Sequence, residues 1–388
     1  MPAPTTPRHP PAPIRPDYGG ACIANVVPAL LGPPEPVAGR PDWLPTIARH
    51  AAQVALLVLD GLGWEQLRAR AALAPTLSAA EGIGRAITSV APTTTACALT
   101  SITTGCPPSR HGLLGYRLAV GDDILNVLRW TLGSGRGIDA RRRVPARGFQ
   151  ACPSFPGASR PVPVVTKDEF GVTGFTAAHL GNSPIRGYRV LSSLPVHVGR
   201  LLREGEPFVY AYYDGIDKVA HASGIGDLYD AELRNVDGLV ADVVAELPAG
   251  AVLVVTADHG QIDVGPQVEL PGREIMASVR FMSGEGRFRW LHARPGAESD
   301  LLESATGRFG ETTWVMGRDQ VVDEGLFGGP LGDEHLSRLG DVALIPHAAI
   351  AFVDPADTGE SRLQSRHGSL TGDEMLVPLV ALAGSGNI

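Results

Sequence analysis

Three short segments of this chain join carboxylates to imidazoles. Asp60 closes VALLVLD, Asp217 and His221 stand four apart in DKVAH, and Asp258-His259 ends VLVVTADHG. His367 follows near the C-terminus in SRHGSLTGDE, and a threonine-rich stretch, APTTTACALTSITTG, lies between the first two segments. Hard carboxylates, imidazoles and a hydroxyl nucleophile are the parts of a two-metal phosphoryl-transfer site.

These residues need a scaffold that brings them to one place, and the flanking sequence describes one. Gln53–Leu59, Phe208–Tyr213 and Ala251–Thr256 are short apolar runs, the pattern of strands buried on both faces. Helical patterns alternate with them: Trp64–Leu73, Thr95 towards Thr104, Leu194–Arg203 and Leu228–Leu247. Tyr116–Val120 and Ile124–Trp130 read as a hairpin. This alternation predicts an α/β fold, doubly wound, with a mainly parallel sheet and helices on both faces. Ligands in such sheets collect beyond the C-terminal strand ends, where Asp60, Asp217 and Asp258-His259 all fall.

Residues 265–345 break the rhythm and are expected to form a smaller α+β cap. The expected organisation is a Pro-rich, mostly irregular N-terminal arm over 1–40, a catalytic core over 41–264 and 346–388, and the inserted cap. Gly133–Pro161 reads as loop.

Each feature has a plain structural alternative. A strand-terminal Asp is often a turn residue, and an i, i+4 Asp/His pair is often a surface contact. Thr371 and Glu374 fit a capping box, which puts His367 in a loop entering a helix. Thr95 would lie at a helix N-terminus, where free N–H groups favour an anion, but Thr93 and Thr94 compete with it on composition alone.

The net charge of −8 argues against a nucleic-acid-binding face. The four cysteines form no CxxC pair. No apolar run reaches the ~18 residues of a membrane span, and the Pro-rich N-terminus has no secretory h-region. These features lead us to expect a soluble, cytoplasmic protein; they leave the oligomeric state open.

Together the motifs resemble the type I phosphodiesterase/nucleotide pyrophosphatase branch of the alkaline phosphatase superfamily. The resemblance covers roughly residues 50–130, 205–265 and 360–385. It lies in Asp60, Pro92-Thr93-Thr94-Thr95, Thr104-Gly105, Pro108-Ser109-Arg110-His111-Gly112, Asp217/His221, Asp258-His259-Gly260 and His367-Gly368. The register of the resemblance selects Thr95 as the nucleophile. It implies two zinc ions, with manganese as an alternative. Asp60, Asp258 and His259 would hold the ion that binds Thr95, and Asp217, His221 and His367 the other. The implied activity is metal-dependent hydrolysis of a small-molecule phosphodiester through a phospho-threonine, with phosphomonoester hydrolysis as the main alternative. Phosphomutase and non-catalytic readings rank lower.

The chain departs from the family pattern at two points. The family's phosphoryl-binding Asn falls on Tyr116, so Tyr116 or Asn126 across the hairpin is the candidate substitute. The aromatic residue that follows the nucleophile is Ala96 here. Cys106-Pro107-Pro108-Ser109-Arg110 matches a sulfatase signature, yet in that reading Cys106 should open the nucleophile helix, and no T-G follows it at ten residues.

Overall fold

The computed structural model describes residues 11–32, 41–357 and 359–384. A seven-stranded sheet runs through the molecule. Its spatial order is Ala86–Thr88, Leu376–Ala383, Ala251–Thr256, Gln53–Leu59, Phe208–Tyr213, Val164–Lys167 and Ile185–Tyr188. The last five strands are mutually parallel; Leu376–Ala383 runs antiparallel to both of its neighbours. The expected doubly wound α/β core is therefore present, with an antiparallel margin on one side.

The three strands that lead into the acidic segments are adjacent. Val58 pairs with Thr256 on one side, and Leu59 with Tyr213 on the other. All but the first residue of Gln53–Leu59 are buried, as are all six residues of each neighbour. A charged residue would be costly to bury within these runs, so the first charges fall just past their ends. That register sets Asp60 between the loops carrying Asp217 and Asp258.

A second, antiparallel sheet has the order Val279–Glu285, Phe288–Ala293, Val342–Pro346 and Thr313–Gly317. Its period of two divides its side chains between two cores. Phe288, Trp290, Ala343 and Ile345 join the main core, whereas Leu291, Val342 and Leu344 pack with Leu301, Ala305 and Phe309 of the Glu298–Phe309 helix. Arg287 ties this sheet to the C-terminal segment by a fully buried ion pair with Glu374, Nη2 to Oε2 2.8 Å.

Several local expectations change. The N-terminal arm is not irregular throughout: Ile23–Asn25 and Val26–Leu31 are helical, and Ile23, Val26, Val27 and Leu30 enter the main core. Residues 1–10 and 33–40 of that arm lie outside the described residues. The helix expected over Trp64–Leu73 ends at Ala69 and continues as a 3₁₀ turn, Ala71–Leu73. Gly133–Pro161 contains a short strand, Ile138–Asp139, and a helical turn, Ala146–Phe149. Glu374 does not cap its helix through the backbone of Thr371. Its carboxylate holds Arg287 and accepts from Ser369 N–H, because a buried guanidinium needs a counter-charge.

Candidate phosphoryl-transfer site

The chain leaves the Gln53–Leu59 strand at Asp60 and turns at once at Gly61, where φ is +76°. A Cβ there would stand 2.3 Å from Gln261 Nε2 and 3.1 Å from the Asp217 Cα. Only glycine permits both the backbone and the approach, so this one turn lets the loops of all three strands close together.

Asp60, Asp258 and His259 are buried, and their ligand atoms lie within 4.8 Å of one another. His259 Nε2 is 3.5 Å from Asp60 Oδ1, 3.3 Å from Asp258 Oδ2 and 3.1 Å from Thr95 Oγ1. Both facing carboxylate oxygens lack a hydrogen-bond partner. Their other oxygens are engaged: Asp60 Oδ2 accepts from the Tyr212 hydroxyl, and Asp258 Oδ1 accepts from the N–H groups of Gly61 and His259, both at 3.0 Å. Each carboxylate is thus oriented from behind, with one bare oxygen turned to a common point.

Asp217 and His221 share the Gly215–Ser223 helix, and their i, i+4 spacing puts His221 Nε2 3.2 Å from Asp217 Oδ1. His367 Nε2 is 3.8 Å from the same oxygen. The ligand atoms of Asp217, His259 and His367 also lie within 4.8 Å of one another, so His259 stands between the two groups and His221 joins through Asp217. The His259 and His367 rings stack with centroids 3.7 Å apart. Asp214 turns away, held by Lys167 at 2.5 Å and Lys218 at 2.7 Å.

The three imidazoles share one further feature. Nδ1 faces a backbone carbonyl in each: Gly260 at 3.1 Å for His259, Ser365 at 2.7 Å for His221, and Thr93 at 2.8 Å for His367. A carbonyl can only accept, so Nδ1 carries a proton in each ring and Nε2 is the nitrogen turned to the carboxylates. That is how ligand histidines are oriented by the groups behind them. The electrostatics agree. Burial, then the Asp258 and Asp217 charges, push Asp60 well above the usual carboxylate range. Burial, then His259 and His221, push His367 well below the usual imidazole range. Bare buried carboxylates beside imidazole Nε2 atoms fit divalent cations.

Of the three threonines, Thr94 is the N-cap and Thr95 the first residue of the Thr95–Thr104 helix. Thr93 Oγ1 donates to Ser369 O at 2.8 Å and accepts from Gly368 N–H at 3.0 Å. Thr94 lies beside Glu285 on the wall of one cavity. Thr95 Oγ1 alone of the three faces the carboxylate–imidazole cluster.

Tyr116 precedes the hairpin Arg117–Val120/Asp123–Asn126, and Arg117 pairs with Asn126. Asn126 Nδ2 donates to the Tyr116 hydroxyl at 2.6 Å, which leaves the Tyr116 O–H proton free to donate elsewhere. Tyr116 lines the cavity that also contains Thr95; Asn126 stands behind it. Cys106 lies beyond the far end of the ten-residue Thr95–Thr104 helix, roughly 15 Å from its start by helical rise. The neighbouring Cys152 thiol pulls the Cys106 thiol down to about 6.

Two cavities meet at Thr95, and both include Leu128 and Asp217. One, of about 280 Å³, is walled by Leu99, Val164, Phe170, Phe175, Tyr210 and Tyr212. The other, of about 270 Å³, is polar, with Tyr116, Arg129, Glu285, Asp357, Glu360 and Arg366. Sequence reasoning missed most of these residues. Glu285, which accepts from Tyr116 N–H at 3.2 Å, comes from the second sheet and carries no motif. The Phe170–Leu180 wall follows a four-residue strand, Val164–Lys167, too short to stand out. The run of apolar residues around Pro163 was its only signal.

Fold and site together define a phosphoester hydrolase of the alkaline phosphatase superfamily. The chain belongs to the type I phosphodiesterase/nucleotide pyrophosphatase family, whose model matches residues 54–132 and 194–370. Among solved structures it is similar to human ectonucleotide pyrophosphatase/phosphodiesterase 5, with 12% identity over 85% of this chain and 87% of that one and a TM-score of 0.62. An inactive form of the murine protein, in complex with AMP, gives 12% identity over 84% and 87% and a TM-score of 0.61. Phosphonoacetate hydrolase from Sinorhizobium meliloti 1021, in complex with phosphonoformate, gives 20% identity over 85% and 90% and a TM-score of 0.60. At these identities the likeness is one of fold. Comparison with curated protein sequences returned no significant match. Among the described residues no helix is long and apolar enough to cross a membrane.

Proposed function

We propose that the protein is a phosphodiesterase that works through a covalent phospho-threonine on Thr95. The observation that carries this reading is the convergence at Thr95 of a carboxylate–imidazole cluster and two separate cavities. Asp60, Asp258 and His259 would hold one divalent cation, and Asp217, His221 and His367 another, with zinc the best match to the mixed N/O donors and manganese the alternative. Such cations supply Lewis-acid stabilisation of developing negative charge and a lowered pKa for the attacking hydroxyl.

The chain's own residues do the rest. Thr95 Oγ1 forms the bond to phosphorus as one ester P–O bond breaks, and the departing alcohol leaves with the proton that Thr95 gives up. Water then adds to phosphorus, the P–Oγ1 bond breaks, and Thr95 recovers its proton. The net reaction turns a diester and water into an alcohol and a monoester. Tyr116, which lines the same cavity as Thr95, would donate its free O–H to a phosphoryl oxygen. Burial raises its pKa, which keeps that proton in place at neutral pH.

Two observations favour diesters over monoesters. Two cavities give room for two organic groups on one phosphorus. Glu285 rather than a cation lies beside Thr94; burial raises its carboxyl to about 7, so it supplies no positive charge for a dianionic monoester. Much of the apolar cavity comes from residues 164–180, outside the segments matched by the family model, so the family match does not identify the group it would take.

The test is turnover of bis-p-nitrophenyl phosphate against p-nitrophenyl phosphate by metal-replete and chelated protein. Diester turnover that needs metal and exceeds monoester turnover supports the reading. Preferred monoester turnover would move the protein to the phosphomonoesterases, and turnover unaffected by chelation would remove the cations from the mechanism.

The domain division is likewise proposed: a catalytic core over 41–264 and 346–388, and a cap over 265–345 that reaches the site through Glu285.

A further inference from the structure

The polar cavity holds a pair of charged groups that the chemistry above does not use. Asp357 is only 7% exposed, yet its carboxylate makes no side-chain hydrogen bond or ion pair among the described residues. Arg129, an exposed residue, lines the same cavity, and among the described residues its guanidinium reaches only Gly135 O, at 3.4 Å. The other charged groups there are at least partly engaged. Glu360 holds Arg289, with Arg366 close by, and Glu285 Oε2 takes the Tyr116 N–H, while Glu285 Oε1 and Arg366 Nε are buried without a partner.

Asp357 and Arg129 do not pair with each other; Gly359 lies between them. A Cβ on Gly359 would stand 3.6 Å from Arg129 Nη2 and 4.0 Å from Asp357 Oδ1. The glycine therefore keeps open a notch with a hydrogen-bond acceptor on one side and a donor on the other. Its φ of −90° is ordinary for any residue, so the backbone does not require glycine here.

We infer that this notch is a subsite for a hydroxylated group, a glycerol-like or sugar-like diol, carried by the phosphodiester substrate. The inference rests on the phosphodiesterase reading, because the notch shares its cavity with Thr95. The charge balance selects the ligand. One carboxylate and one guanidinium cancel, so neither an ammonium nor a second anion is favoured. A hydroxyl both donates and accepts, and neighbouring hydroxyls can donate to Asp357 while accepting from Arg129. An alkyl group would leave a nine-tenths-buried carboxylate without its water and without a partner. The organic groups on phosphorus would then differ: one apolar, in the cavity walled by Phe170 and Phe175, and one polyhydroxylated, beside Gly359.

The experiment uses two p-nitrophenyl phosphodiesters of matched size, the glyceryl and the propyl ester, with metal-replete protein. Nitrophenolate release gives kcat/KM for each, and the readout is the glyceryl-to-propyl ratio within one protein, which cancels any loss of active enzyme. The native protein is expected to favour the glyceryl ester roughly tenfold. Gly359→Ala fills the notch at ordinary contact distances, and Asp357→Asn removes the anionic acceptor; each should bring the ratio close to one. A ratio near one in the native protein, or a preference unchanged in both variants, overturns the inference while turnover of the propyl ester leaves the diesterase reading standing. Failure to cleave either ester or bis-p-nitrophenyl phosphate overturns both.

Discussion

Asp258→Asn should have opposite effects on the metal-free and metal-loaded protein. In the fold Asp258 Oδ1 accepts two backbone N–H groups, while Oδ2 is buried, bare and close to Asp60 Oδ1 and His259 Nε2. Asparagine can keep the first pair of bonds through its own Oδ1. Its Nδ2 would then replace a bare anion with a donor facing two acceptors. The ligand atoms of Asp60, Asp258 and His259 lie within 4.8 Å. Two carboxylates at that separation repel by about 3 kcal/mol at an effective dielectric near 20. Without a cation the native protein carries this repulsion or takes up a proton, consistent with the raised pKa of both groups. For a chain of this length, relieving about 3 kcal/mol corresponds to a rise of roughly 4 °C in melting temperature. With cation present the order reverses, because the variant loses a charged ligand and with it the stabilisation by binding. Differential scanning calorimetry of both proteins, chelated and zinc-loaded, reads all four values. A chelated variant that melts below chelated native protein, or native protein indifferent to zinc, would refute the reasoning.

Tyr116→Phe removes one donor to the phosphoryl group and should lower kcat by roughly tenfold to a hundredfold while metal content stays constant; an unchanged kcat would leave Tyr116 with no part in binding the phosphoryl oxygens. Cys106→Ala should leave phosphodiester turnover within about twofold, since Cys106 lies past the far end of the nucleophile helix; loss of activity, or of an aryl sulfatase side activity, would revive the sulfatase reading. Burial, then the neighbouring His335 and Arg338 charges, hold His111 down to about 3 from an ordinary 6.5. The folded state therefore binds fewer protons at this site, and the stability it contributes is complete above pH 6.5 and lost as pH falls towards 3. Up to about 5 kcal/mol is at stake. His111→Asn, which can still accept the Leu113 N–H, should flatten the fall in melting temperature across that window; an unchanged acid limb would place the sensitivity elsewhere.

The legible part of the site was the part built on strand ends. Asp60, Asp217 and Asp258 follow apolar runs whose length and composition announce buried parallel strands, and Gln53–Leu59, Phe208–Tyr213, Ala251–Thr256 and Thr95–Thr104 have the bounds expected. Thr95 was separable from Thr93 and Thr94 only through the family register, because three adjacent hydroxyls have the same composition. The structure adds a geometric difference: Thr93 Oγ1 is bonded to Ser369 and Gly368, Thr94 lies beside Glu285, and Thr95 Oγ1 is 3.1 Å from His259 Nε2. What stayed hidden depends on long-range contacts with no local period. Glu285 comes from a distant sheet, the Phe170–Phe175 wall follows a strand of four residues, and the Asp357–Gly359 notch lies in irregular chain. The N-terminal helix was missed for a related reason. It is apolar throughout but only six residues long, with Pro28 inside it, too short to show a helical period.

The most direct test of the account is the covalent state of Thr95 during turnover. Metal-replete protein mixed with bis-p-nitrophenyl phosphate, quenched in acid within the first turnovers and mapped by peptide mass spectrometry, should carry a phosphoryl ester on Thr95. Thr95→Ala should retain its metal, show no adduct and have no measurable turnover. An adduct on another residue, or undiminished turnover by Thr95→Ala, would contradict the assignment.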